Sequence, residues 1–390
     1  MTQKFDWEKQ RAKAAFLALE DGTVLRGYSV GAPVDREGEV VFNTGLSGYQ
    51  EIVSDPSYAG QFVTMTYPEI GNYGFNSEDM ESRSLFLNGL VIHNMNEPSN
   101  FRSEKSLAEA LAEKNVPAIA GIDTRHLTTI LRSSGTMRGF LHCSDAPMSG
   151  EDGVAKARAW CGLDNQDYVC KVSCSECYVW DEDDSRSFGF GWPADKPVPP
   201  VEFNVVAYDF GVKYNILRML RRSGMKVTVV PARTPAAEVL AMNPDGVFLS
   251  NGPADPAAVT YAIEAAKEIL GKVPVMGICL GHQLLGLACG GKRFRLKFGH
   301  HGCNHPVLNI ATGKVEITSQ NHNFGIDEAS MPECLEVTHV NLNDRTVEGF
   351  RHKTLPMFAV QYHPEAAPGP HDPSYLFGQF ADMMRRAKKN

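Results

Sequence analysis

The chain has 390 residues, 43% of them hydrophobic and 22% charged, with a formal net charge of −8. That length exceeds what one ordinary core supports and predicts a globular protein of two domains. The acidic balance gives no electrostatic footprint for nucleic acid or an anionic membrane surface, and no apolar run approaches the roughly 20 residues of a spanning helix. The opening stretch MTQKFDWEKQRAK is polar and lacks a secretory core, so residues 1–13 read as an extension and the cytoplasm is the expected compartment. Nine cysteines, an odd number, argue against a secreted disulfide framework.

Taken in order, residues 16–19 and 24–30 flank Asp21-Gly22, a hairpin signal. Strand-like runs follow at 39–43, 61–67 and 89–93. Ser106 and Glu109 form a capping-box pattern that opens a helix through Lys114. Asp123 is placed to cap a second helix, whose Leu127, Ile130 and Leu131 share a face and which Gly135 ends. Strands and helices mix here without regular alternation, and pattern alone assigns this half no function.

Cys170, Cys174 and Cys177 match no common zinc spacing and lack a clear fourth ligand, so no metal is expected. His300, His301 and His305 are likewise not assigned to a metal. Residues 181–200, acidic and then rich in glycine and proline, read as a linker, which divides the chain into domains 1–198 and 199–390. Beyond it the period changes. Strands at 205–208, 227–230 and 246–249 alternate with helices at 214–222 and 236–242, an α/β pattern that implies a parallel sheet covered on both faces. Sites in such sheets lie at the carboxyl ends of strands, where Asn251-Gly252-Pro253 falls.

Residues 273–291, VPVMGICLGHQLLGLACGG, read as a buried strand, a tight turn and a helix stopped by Gly290-Gly291. Cys279 stands between two glycines at the turn, an elbow with Cys in place of Ser. The start of the following helix points unpaired N–H groups and a positive dipole end at the sulfur, which favours a thiolate. A lone G-x-C-x-G is also compatible with an inert buried cysteine. Downstream, residues 357–365, MFAVQYHPE, read as a strand ending in His363-Pro364-Glu365. Residues two apart on an extended segment face one side, so Glu365 can orient His363 towards Cys279.

GICLGHQ followed by HPE resembles the class I (triad) glutamine amidotransferases. The stretches FNTGLSGYQEIVSDPSYAGQ, TYPEIGNYG, GIDTRHLTTILR and KFGHHGCNHPV narrow the resemblance to the family of carbamoyl phosphate synthetase small subunits, from about Phe16 to Phe380. It implies a C-terminal amidotransferase domain after a mixed β/α domain that docks on a large subunit. It further implies hydrolysis of L-glutamine to glutamate and ammonia, with the ammonia used by that partner to make carbamoyl phosphate for pyrimidines and arginine. ATP, magnesium and bicarbonate are expected on the large subunit, with no cofactor on this chain.

Cys279 would attack the side-chain amide of glutamine, His363 would shuttle the proton, and Glu365 would hold the imidazole tautomer. The N–H of Leu280 is the expected first oxyanion donor, and the resemblance puts the second at Gly252; one such donor is worth about 10²–10³ in rate. Glutamine-binding positions carried over by motif are Ser57, Gln283, Asn321 and Phe324. To these the resemblance adds backbone at Ala254 and Asn323, where the family usually has glycine. Asn323 is expected to tolerate a left-handed backbone, whereas Ala254 would not if positive φ is required. The segment GLACGGKR, residues 286–293, matches the first part of a phosphate loop, but Arg293 stands where Ser or Thr is needed and the segment continues a helix. Two other readings stay open on these residues: a non-catalytic regulatory or scaffold subunit, and a glutaminase serving another synthetase.

Overall fold

A computed structural model of the chain describes residues 11–189, 192–193, 195–253 and 255–389. It divides into two compact units, Met1–Asp164 with Lys297–His301, and Asn165–Leu296 with Gly302–Asn390. Much of the polar opening stretch, and Ala254, lie outside the described residues.

In the first unit, Asp21-Gly22 closes the predicted hairpin: β1 (Ala14–Leu19) pairs antiparallel with β2 (Val24–Ser29), and Gly22 takes φ 108° at the turn. Five further strands, β3 (Arg36–Asn43), β4 (Gln61–Met65), β5 (Gly89–Val91), β6 (Ala118–Ala120) and β7 (Met137–His142), complete a closed barrel in the order β1-β2-β6-β5-β4-β3-β7. Side chains alternate between two cores, with Val40, Phe62 and Val91 in one and Val41, Val63 and Leu90 in the other. Both helix starts form as the sequence predicts. Ser106 and Glu109 complete a capping box on Leu107–Glu113, and Asp123 accepts from the N–H of His126 to cap Thr124–Ser134.

The second unit is built on a ten-stranded sheet. Its strands are β8 (Tyr178–Val179), β9 (Phe203–Asp209), β10 (Met225–Pro231), β11 (Gly246–Leu249), β12 (Val275–Ile278), β13 (Arg293–Asn309), β14 (Val315–Ile326), β15 (Leu335–Asn341), β16 (Val347–His352) and β17 (Met357–Val360). Their order is β8-β10-β9-β11-β12-β17-β16-β15-β13-β14. The run β10-β9-β11-β12-β17 is parallel, as the alternating strand and helix pattern requires. Both faces are covered. Val206 and Tyr208 of β9 pack with Ala262, Ala266 and Ile269 of the helix Thr260–Ile269. Val205 and Ala207 face the other way, onto Ile216, Leu217 and Leu220 of Tyr214–Arg222 and Phe377, Phe380 and Met384 of Tyr375–Ala387.

Residues 165–198, which composition groups with the first domain, belong by their contacts to the second unit. Tyr178–Val179 adds an antiparallel edge to β10, and Asp184 holds Arg221 through two bonds of 2.6 and 2.7 Å. A polar, proline-rich stretch looks like a linker because it offers few apolar side chains. Here its charges and Trp180, which is buried, anchor it instead. Among the described residues no helix is long and apolar enough to cross a membrane.

Candidate active site

Strand β12 ends at Ile278 and the helix Leu280–Ala288 starts two residues later, so Cys279 carries the whole change of direction. Its backbone takes φ 53°, ψ −103°, a conformation that costs a non-glycine residue about 1–3 kcal/mol and persists only where its surroundings impose it. The surroundings are identifiable. The Cys279 N–H donates to Val360 O at 2.9 Å, tying the elbow to β17, and the Gly281 N–H donates to Ser250 O at 3.0 Å, tying the helix start to the end of β11. A Cβ on Gly281 would overlap the Leu249 carbonyl, and one on Gly277 would stand 2.7 Å from the Gly281 carbonyl carbon. The two glycines of G-x-C-x-G are therefore required by close backbone approach.

The Cys279 side chain is buried, with its sulfur 3.6 Å from the Asn321 carbonyl. His363 and Glu365 are also buried, and Nδ1 of the imidazole lies 2.7 Å from Oε1 of Glu365. The pair meets, but not along a strand: β17 stops at Val360, and His363 is instead fixed by its N–H to Ser319 O at 2.9 Å, after which the chain turns through Pro364. With Nδ1 committed to Glu365, Nε2 has no hydrogen-bond partner among the described residues.

Burial pushes the His363 pKa down, but the Glu365 carboxylate and the Cys279 side chain outweigh it and hold the ring up at about 10. Burial likewise pushes the Glu365 carboxyl up, and Lys213 and His363 together bring it down to about 2. Lys213 is the residue that sequence reasoning missed. Its buried ammonium sits 3.0 Å from Glu365 Oε1 and 2.6 Å from Ala366 O, while Asn215 Nδ2 donates to Glu365 O at 2.5 Å. Both follow β9, and the rule that places sites at the carboxyl ends of parallel strands applies to Lys213 as it does to Cys279. By contrast, His282 is a neutral core residue. Its ring packs at a tilt against Phe350, with centroids 4.5 Å apart, and burial lowers its pKa to about 3.

The remaining predicted positions divide. Gly252 follows β11 and stands against the elbow: a Cβ there would overlap Phe210 O and come within 2.8 Å of Leu280 Cδ2. The N–H of Leu280 opens its helix and has no intrahelical acceptor. Gln283 donates to Phe324 O at 2.7 Å and to Gln361 Oε1 at 3.2 Å, so it joins the nucleophile helix to β14 and to the segment after β17. Asn321, Asn323 and Phe324 are buried in β14. Asn323 is extended there, so the expected left-handed backbone is not used. Ser57 belongs to the first unit, buried in the turn Pro56–Tyr58 with its N–H on Asp55 Oδ1 at 2.9 Å. All nine cysteines are free thiols, Cys170, Cys174 and Cys177 among them. In the segment 286–293, the helix runs on to Ala288 and Gly290 turns the chain at φ 101° into β13, unlike the strand-to-helix turn of a phosphate loop.

Two family models match the chain: carbamoyl-phosphate synthase small chain, CPSase domain, over residues 17–141, and glutamine amidotransferase class-I over residues 206–383. Among curated relatives, the carbamoyl phosphate synthase small chain of Rhodopirellula baltica is 54% identical, over 96% of this chain and 97% of its own length. That of Akkermansia muciniphila is 50% identical, over 96% and 98%. The chloroplastic small chain of Oryza sativa is 50% identical, over 95% and 82%. Likeness at this level along nearly the whole of both chains, together with a match in each half, means that the chain belongs to the family of carbamoyl phosphate synthase small chains and carries a class-I glutamine amidotransferase domain.

Proposed function

We propose that the chain hydrolyses L-glutamine to glutamate and ammonia through a thioester on Cys279, and passes the ammonia to a large synthetase subunit. The observation that carries this reading is the buried set Cys279, His363 and Glu365, with the cysteine on a strained elbow and Nε2 of His363 left without a partner. The thiolate attacks the side-chain amide carbon, and the N–H groups of Leu280 and Gly252 receive the developing oxyanion. His363 protonates the departing ammonia, then takes a proton from water as that water opens the thioester and releases glutamate. Glu365 keeps the proton on Nδ1 and balances the imidazolium, and Lys213 keeps Glu365 ionised in a site without bulk water.

Ser57, Gln283, Asn321, Asn323, Phe324 and backbone at Ala254 are proposed to hold the glutamine. The large subunit is the proposed user of bicarbonate, ATP and magnesium, making carbamoyl phosphate for pyrimidine and arginine synthesis, and this chain needs no cofactor of its own. The proposed compartment is the cytoplasm. Ammonia held in a closed route stays unprotonated and nucleophilic, which gives docking of the two subunits a chemical purpose. The test is glutamine-dependent carbamoyl phosphate formation by the two purified subunits beside Cys279→Ser, with ammonium salts as the alternative nitrogen source. The variant should lose the glutamine reaction and keep the ammonium reaction. Glutamine-dependent synthesis that survives Cys279→Ser contradicts the reading.

A further inference from the structure

Arg293, the residue at which the phosphate-loop pattern fails, reaches two walls of the site at once. Its Nη2 lies 2.6 Å from Oδ2 of Asp255, a carboxylate with no solvent exposure. Its guanidinium carbon lies 5.0 Å from the centroid of the Phe324 ring, within the range of a cation–π contact. Asp255 follows the loop that holds Gly252 and caps the turn Pro256–Ala258, accepting from the Ala257 N–H at 3.0 Å and from the Asn165 N–H at 2.9 Å. Phe324 lies on β14, and its carbonyl accepts from Gln283 on the nucleophile helix. Arg295 lies over the same ring at 5.3 Å.

We infer that Arg293 is a positioning residue for glutamine hydrolysis, whose single guanidinium fixes the Gly252 loop through Asp255 and the glutamine contact Phe324 through its ring. The inference rests on the glutaminase reading above. A planar guanidinium can make a charged hydrogen bond at its edge while its face meets a ring, whereas an ammonium is a point charge without a face to stack. The two contacts are therefore separable by chemistry. Lysine retains a cation for the buried Asp255 and gives up the stacking on Phe324. Alanine removes both.

The experiment is steady-state glutaminase kinetics on the full chain with its large subunit, for wild type, Arg293→Ala, Arg293→Lys, Phe324→Leu and the double variant Arg293→Lys/Phe324→Leu. Arg293→Ala should lower kcat about ten- to a hundredfold, because the loop carrying an oxyanion donor loses its anchor. It should also raise the KM for glutamine by about two- to fivefold, the worth of a cation–π contact that is partly exposed to solvent. Arg293→Lys should recover most of kcat but keep the raised KM. Once Phe324 is leucine, the lysine substitution should raise KM no further. If Arg293→Ala fails to fold, the lysine and double variants carry the same test. Kinetics of Arg293→Ala equal to wild type, or Arg293→Lys reproducing every defect of alanine, overturn the inference while Cys279-dependent wild-type activity leaves the glutaminase reading standing. A wild type without glutaminase activity overturns both.

Discussion

Nδ1 of His363 and Oε1 of Glu365 are 2.7 Å apart in a fully buried pair, although the strand that leads towards them ends three residues before the histidine. The contact is made by a turn and secured from behind by Lys213, so its strength depends on a residue from a distant strand end.

That arrangement sets a pH dependence of stability with a definite sign. The His363 pKa is raised from 6.5 to about 10, so the pair's contribution is complete below 6.5 and is lost as pH rises through 10. Glu365 is lowered from 4.5 to about 2, so its contribution is complete above 4.5 and is lost as pH falls through 2. Urea midpoints for wild type and His363→Asn should therefore differ most at pH 5–6 and converge towards pH 10. A gap that widens above pH 7 would contradict the assignment.

Lys213→Met removes one partner of a buried ion pair and leaves the Glu365 carboxylate to be balanced by His363 without the lysine. The expected loss of stability is about 3–5 kcal/mol, since desolvation of the remaining charge is no longer fully offset. Glutaminase activity should fall with it, because a protonated Glu365 no longer balances the imidazolium. Chemical denaturation read beside glutamate release checks both effects; an unchanged midpoint would show that the lysine is not holding Glu365.

Glycine substitutions should separate the elbow from ordinary helix. Gly281→Ala must move the Leu249 backbone or the nucleophile helix, with an expected cost of about 1–3 kcal/mol and loss of glutaminase activity. Gly378, on the exposed side of Tyr375–Ala387, has open space where a Cβ would go, and alanine there should add about 0.5–1 kcal/mol with activity unchanged. Thermal melts and activity for the two variants provide the comparison.

The elements legible in the sequence were those whose signals are local. Asp21-Gly22, the Ser106 and Asp123 caps, and the helix Tyr214–Arg222 depend on residues within a few positions of one another. The strand and helix around Cys279 were equally plain, and the approach of Gly281 to Leu249 explains why glycine stands there. The closed barrel was not legible, because β5 and β6 are three residues each and closure joins β1 to β7 across the first unit. Lys213 and Asp255 were passed over for a related reason, and Arg293 was read only as a mismatch to a phosphate loop. Each works through a partner far along the chain, and a single charged residue next to a strand end has no periodicity to mark it.

The most direct test of the account is glutamate release from glutamine by the purified chain, alone and with its large subunit, in wild type and Cys279→Ser. Release should require Cys279 and rise when the large subunit is added. No release in either state from a folded wild-type chain, or release undiminished in Cys279→Ser, would contradict the glutaminase reading.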